Sequence, residues 1–202
     1  MDWREIFFSA IFAAALTALG SLWIDKLYRS CAELTFSEKI SERSKFRRPI
    51  LFCALTILFS MTNDFWLLAA IFLLALMTAT DFEQYMLFDA MTIPLAIVGA
   101  ARIFFAGLNV TDCAAAALIG GGIFLLLAVL SKGALGGGDV KLIAALGLWL
   151  GCEKLLSVVL IATVGGGLAA VLMILFGAKS RDSFFAYGPY FAIAAVYVLL
   201  TT

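Results

Sequence analysis

The chain has 202 residues, of which 64% are hydrophobic and only 14% charged, against about 45–50% apolar and about 25% charged in soluble domains, so an ordinary water-soluble fold is excluded. Basic and acidic residues cancel at 14 each; net charge offers nothing to a nucleic acid, and no such partner is expected. Histidine is absent, which removes Ser-His-Asp and Cys-His hydrolysis and HExxH zinc sites, because each needs an imidazole as base or ligand.

At about 20 residues per membrane span the chain holds at most roughly ten, leaving no room for an extramembrane domain. Apolar segments run at about 6–24, 49–62, 65–81, 92–107, 113–131, 140–151, 155–177 and 185–202, which predicts an all-α, polytopic bundle of about eight membrane segments. The first is read as a retained helix. Asp2 and Glu5 outweigh Arg4 there, the reverse of a signal peptide's basic start. Between the first two segments lie Lys26, Arg29, Lys39, Arg43, Lys45, Arg47 and Arg48; the positive-inside rule makes this loop cytoplasmic and puts the amino terminus outside. Lys132, Lys141, Lys179 and Arg181 then also fall at cytoplasmic ends, while Arg4 and Lys154 lie outside. Arg102 lies within the fourth segment, where it either pairs with a carboxylate or reaches the interface. Segment 140–151 rises only about 18 Å as a helix, so it is tilted, extended into its flanks or re-entrant.

Cys31, Cys53, Cys113 and Cys152 form no CxxC pair; they read as small apolar fillers, without zinc and without a disulfide framework. The glycine triples Gly120–Gly122 and Gly165–Gly167, and the pair Gly147 and Gly151, lie in spans and predict close helix packing. The triple Gly136–Gly138 differs, because it lies between spans and ends in Asp139.

Charge at membrane depth is costly, so Asp81 at the end of the third segment and Asp139 at the start of the sixth need a reason. The topology puts both at the cytoplasmic side, where they can approach across a helix pair. Two carboxylates sharing a proton can run hydrolysis: the ionised one takes a proton from water and the protonated one polarises the scissile carbonyl. The other reading of Asp139 is an N-cap of the sixth segment. Gly136 and Gly138 leave space for close approach of another backbone, such as an extended peptide. A phosphate loop starting at Gly133 is rejected, since Asp139-Val140-Lys141 stands where Lys-Ser/Thr is needed. Glu83 and Asp89 are read as solvated, Asp89 with a part in the substrate site. Lys141 is read as a snorkelling anchor of the sixth segment.

Gly136-Gly137-Gly138-Asp139-Val140-Lys141-Leu142, running into Ala144-Ala145-Leu146-Gly147, resembles the GxGD signature of type IV prepilin leader peptidases, a family of intramembrane aspartic endopeptidases. Asp81 followed by Leu87-Phe88-Asp89 resembles the family's first aspartate motif, with Phe88 where proline is usual, and Thr92-Ile93-Pro94-Leu95 continues it. Tyr187-Gly188-Pro189-Tyr190 is similar to the family's Phe-Gly-Pro-Phe. Near the amino terminus, Gly20-Ser21, Tyr28-Arg29 and Ile40-Ser41-Glu42-Arg43 resemble family positions, whereas Ile24 stands where asparagine is expected and Arg48 near where longer members place a glutamate.

The resemblance implies an amino-terminal two-span region, 1–64, and a peptidase membrane domain, 65–202. Asp81 and Asp139 would be the catalytic pair, with Gly136, Gly138, Asp89 and Lys141 shaping the substrate loop. The partners implied are prepilin-like substrates with short basic leaders and the lipid of the bacterial inner membrane. Longer members hold zinc on two CxxC pairs in the first cytoplasmic loop and methylate the mature amino terminus with S-adenosylmethionine. Residues 25–48 lack such pairs, so neither zinc nor S-adenosylmethionine is expected. Two other readings of the same acids stay open: a small membrane transporter, and a silent relative acting as an assembly partner.

Overall fold

The computed structural model describes residues 3–32, 34–131, 135–176 and 185–201. Asp2, Lys132, Gly133, Lys179, Arg181 and Asp182 lie outside the described residues. Among those described, regular structure is entirely helical: α1 (Trp3–Ser30), a 3₁₀ turn (Ser37–Lys39), α2 (Ile40–Arg43), α3 (Arg47–Phe59), α4 (Phe65–Gln84), α5 (Asp89–Phe105), α6 (Val110–Leu130), α7 (Gly137–Leu175) and α8 (Gly188–Thr201). Stretches of α1, α4, α6 and α7 are long and apolar enough to cross a membrane. Outward-facing residues are as apolar as the core, with Phe104, Leu118 and Leu175 each about three-quarters exposed. A bundle greasy on both sides has lipid as its solvent, and the chain is a membrane protein.

Helix starts follow local chemistry. Asp64 accepts the Trp66 N–H ahead of α4, and Asn109 accepts the N–H groups of Thr111 and Asp112 ahead of α6, satisfying amides that have no partner within the helix. Without a hydrophobic driving force between helices in lipid, association rests on packing that small residues permit. Gly147 of α7 lies against the backbone of Ala116 and Ala117 in α6, and Gly121 of α6 lies against Ala144. The glycine triples are only partly explained this way, since Gly122, Gly165 and Gly167 meet no neighbour within 4 Å. Replacing Gly147 by alanine puts a methyl group into the Ala116–Ala117 backbone, which cannot rotate away as a side chain would. The expected loss is about 1–3 kcal/mol, read as a lower unfolding temperature in detergent; Gly122→Ala should not lower it, since alanine is the better helix former and meets no neighbour there.

Gly151 has another role than packing. Its backbone (φ +72°, ψ 179°) breaks α7 into limbs 137–150 and 152–175, which match the predicted segments 140–151 and 155–177. Gly120 lies against both Ile143 and Leu155. Those residues would be about 18 Å apart along an unbroken helix, so the chain folds back at Gly151. The amide freed by the break, that of Cys152, donates to the Asp112 carboxylate at 3.3 Å. Arg102 makes no ion pair with a carboxylate among the described residues: its Nη1 donates to the Trp149 carbonyl at 3.2 Å and its guanidinium lies over the Trp149 ring. Trp149 in turn donates Nε1–H to Leu95 O at 2.8 Å. Of the cysteines, Cys113 is buried, whereas Cys53 and Cys152 lie on the outside of the bundle rather than filling it.

The first limb of α7 runs from the end of the bundle where α4 finishes to the end where α6 begins, and the second returns. That brings Gly166 back against Tyr187 and Tyr190 at the start of α8. The ends of α1 and α4 and the starts of α3, α5, α7 and α8 consequently gather at one end of the molecule.

Candidate active site

α4 is apolar along residues 65–77 and becomes polar in its last turns, where Thr80, Asp81, Glu83 and Gln84 are all buried. Tyr85, in the left-handed conformation (φ 54°), ends the helix and donates its N–H to Asp81 O at 2.9 Å. Asp81 is 6% exposed. Its Oδ2 accepts the backbone N–H of Gly188 at 3.0 Å, so it sits at the start of α8, where free amides and the helix dipole favour an anion.

Asp139 stands in the first turn of α7, three residues after Gly136, which occupies the cap position. The N-cap reading is corrected in position only: the cap residue is Gly136, and from the third helical position the Asp139 carboxylate folds back toward it, as the acid of a capping box does. Gly138, which precedes Asp139, and Gly188, whose amide bonds Asp81, share Leu87 as a neighbour, so two carboxylates 58 positions apart in sequence stand at the same end of the bundle. Leu87 fills the space between their supports. Its side chain lies against Gly138 on one side and Gly188 on the other, and a Cβ at either glycine would collide with it or press on it.

Lys141 and Asp89 are both 55% exposed at the side chain and pair with each other, Nζ lying 2.7 Å from each carboxylate oxygen. Lys141, read as a snorkelling anchor of the sixth segment, thereby also ties the start of α7 to the start of α5. As an exposed pair it is worth about 0–1 kcal/mol, weak enough to open. Glu83 is also corrected. It is not solvated but 5% exposed, held by Arg47 through two bonds of 2.7 Å and by the Tyr28 hydroxyl at 2.9 Å. An apolar groove of about 560 Å³ between α3, α4 and α8 touches Phe82 and Glu83 but is lined by neither Asp81 nor Asp139. Among the described residues no group of three His, Cys, Asp or Glu stands close enough to hold a metal ion.

Gly188 was legible only as part of the Tyr187-Gly188-Pro189-Tyr190 motif, with no position in the site attached to it. Arg47 carried no signal beyond a basic loop, and Tyr28 none beyond a span end and the resemblance of Tyr28-Arg29 to a family position.

Fold and site define a helical membrane protein with a buried and a half-buried carboxylate at one end of the bundle. The model of the type IV leader peptidase family matches residues 67–171, just over half of the chain, and takes in both Asp81 and Asp139. The chain belongs to that family. It is 31% identical over 135 residues to the prepilin leader peptidase/N-methyltransferase of Legionella pneumophila, covering 64% of this chain and 47% of the relative. With the protein of the same description from Aeromonas salmonicida it shares 31% over 153 residues, 70% of this chain and 52% of the relative. With that of Pectobacterium carotovorum subsp. carotovorum it shares 42% over 71 residues, 34% of this chain and 25% of the relative. The chain thus spans about half the length of the curated relatives it matches. No solved structure matches it.

Proposed function

We propose that the protein is an aspartic endopeptidase that removes the short basic leader from prepilin-like proteins at the cytoplasmic face of the bacterial inner membrane. The observation that supports this reading is the placement of Asp81 and Asp139 at the same end of the bundle, around Leu87 and with the Gly188 N–H on Asp81. One carboxylate is ionised and removes a proton from water, and the hydroxide formed attacks the scissile carbonyl carbon. The other is protonated and donates to the carbonyl oxygen. The tetrahedral intermediate collapses with proton transfer to the leaving nitrogen, breaking the C–N bond and returning the pair to a single shared proton. The proton belongs to the pair, so neither residue is assigned a fixed role.

An extended substrate lies along the Gly136–Gly138 turn. The mouth offers Asp89 to the leader's basic residues once Lys141 is displaced. The end of the bundle bearing Arg43, Arg47, Arg48 and Lys141 faces the cytoplasm and the amino terminus lies outside, in keeping with the positive-inside rule. The protein works without zinc or S-adenosylmethionine: residues 25–48 have no paired cysteines, and a short polar segment without a metal staple buries too little apolar surface to build a cofactor pocket.

The test is the purified full chain in lipid vesicles, mixed with a substrate bearing a basic leader, a glycine and a hydrophobic helix. Mass spectrometry should find a cut after the glycine and a new amino terminus without an added methyl group, with or without S-adenosylmethionine. No cut in any such substrate would favour a transporter or a silent relative. A methylated product that depends on this protein would overturn the cofactor reading alone.

A further inference from the structure

Asp81 lies only three residues from the end of α4, in the turn that frays first in an unsupported helix. That turn is gripped from outside, by residues of the amino-terminal part. Arg43 donates Nη2–H to Phe82 O at 2.6 Å and Nε–H to Glu83 O at 2.5 Å, closing two carbonyls that the helix itself leaves open. Its guanidinium stacks 4.1 Å over the Phe36 ring. Gln84, fully buried, exchanges hydrogen bonds with the Phe36 backbone, accepting from N–H at 2.8 Å and donating to the carbonyl at 3.4 Å.

Glu83 is fixed at its side chain as well. Arg47 meets both of its oxygens in a planar fork and directs its remaining Nη to Asp25 at 2.6 Å and to Ser21. Tyr28 closes the shell. Charge-assisted, two-point bonds of this kind fix orientation as well as distance. The three residues that follow Asp81 are thus each held by a group between positions 28 and 47, all of them upstream of the family match at 67–171.

We propose that Arg43 and the Arg47–Glu83 pair are positioning residues for the peptidase reaction: they lock the height and rotation of the last turn of α4 and thereby aim Asp81 at Asp139. The proposal rests on the reading of these two aspartates as the catalytic pair. It also means that the amino-terminal region is a working part of the catalytic centre rather than an appended two-span unit.

The assay uses the full chain in vesicles, with kcat and KM measured separately, well below each variant's unfolding temperature. Arg47→Leu/Glu83→Leu removes both buried charges together, leaving the part-exposed Asp25 carboxylate and the Tyr28 hydroxyl without these partners, and Arg43→Ala removes the donors to two carbonyls and the stack on Phe36. In both, kcat should fall by about tenfold or more, as expected for a sub-ångström to ångström misplacement, while KM stays within about twofold; Arg43→Lys should recover part of the loss. If the double variant does not fold, Arg43→Ala decides. Wild-type kcat in Arg43→Ala, or a change confined to KM, overturns the proposal. A wild-type protein that cleaves nothing sinks the peptidase reading itself, an outcome distinct from either.

Discussion

Asp81→Asn and Asp139→Asn should each lower cleavage of a prepilin-like substrate by about 10²–10⁴-fold or more, the scale of a lost general acid or base. The substitution keeps the size of the side chain and removes its charge and its ability to exchange a proton. In Asp81→Asn the side-chain amide oxygen can still accept the Gly188 N–H that now reaches the carboxylate at 3.0 Å, so the start of α8 stays docked. Insertion and folding should be unharmed, because a carboxylate at membrane depth is a cost that the amide relieves. The measurement is the initial rate of leader removal, alongside an unfolding curve in detergent. A variant that is folded and cleaves at near the wild-type rate would refute the assignment of that aspartate. Loss of cleavage in both, with the fold intact, would separate this reading from one in which the acids carry protons or cations.

The second large effect is expected at Gly188, which touches no substrate in the proposed mechanism. A Cβ there would stand 2.7 Å from Asp81 Oδ2 and 3.2 Å from Leu87 Cδ2. The carboxylate must swing away, losing its bond to the Gly188 amide and its aim at Asp139 together. Displacement of a reacting group by about 1 Å costs on the order of 10²-fold, so Gly188→Ala should lower kcat by about 10- to 100-fold. Alanine is a good helix former and Pro189 already starts the first turn, so α8 itself should persist. Gly122→Ala serves as the control: nothing lies within 4 Å of that position, and its rate should match wild type. Equal rates in the two variants would show that Asp81 does not depend on the start of α8.

Fold class and the candidate acids were legible in the residues because both are local properties. A chain that is 64% hydrophobic cannot be covered by water, and with lipid as solvent its backbone has to satisfy itself in helices. The absence of histidine left paired acids as the main hydrolytic option, and two aspartates at the ends of apolar segments were conspicuous because charge is expensive there. Even the fold-back within α7 had its trace, in a polar interval around Glu153 and Lys154, although the break falls at Gly151, where only a glycine readily takes φ +72°.

Partnership was decided by the tertiary structure. Glu83, next but one to Asp81 on a helix end, read as a solvated acid because nothing in its own segment could neutralise it. Its partner Arg47 lies 36 positions away in a loop rich in basic residues, any of which could have been the one turned inward. Lys141 and Asp89, 52 positions apart, were each read separately as facing solvent or lipid headgroups. The Gly188 amide on Asp81 is 107 positions away and, being backbone, has no residue type by which it could be recognised. Hydrophobic patterning specifies which face of a helix turns inward, but not which neighbouring helix it meets or at what height. Those two quantities are set by the packing of the whole bundle, and they are what bring Asp81, Asp139 and Gly188 to one place.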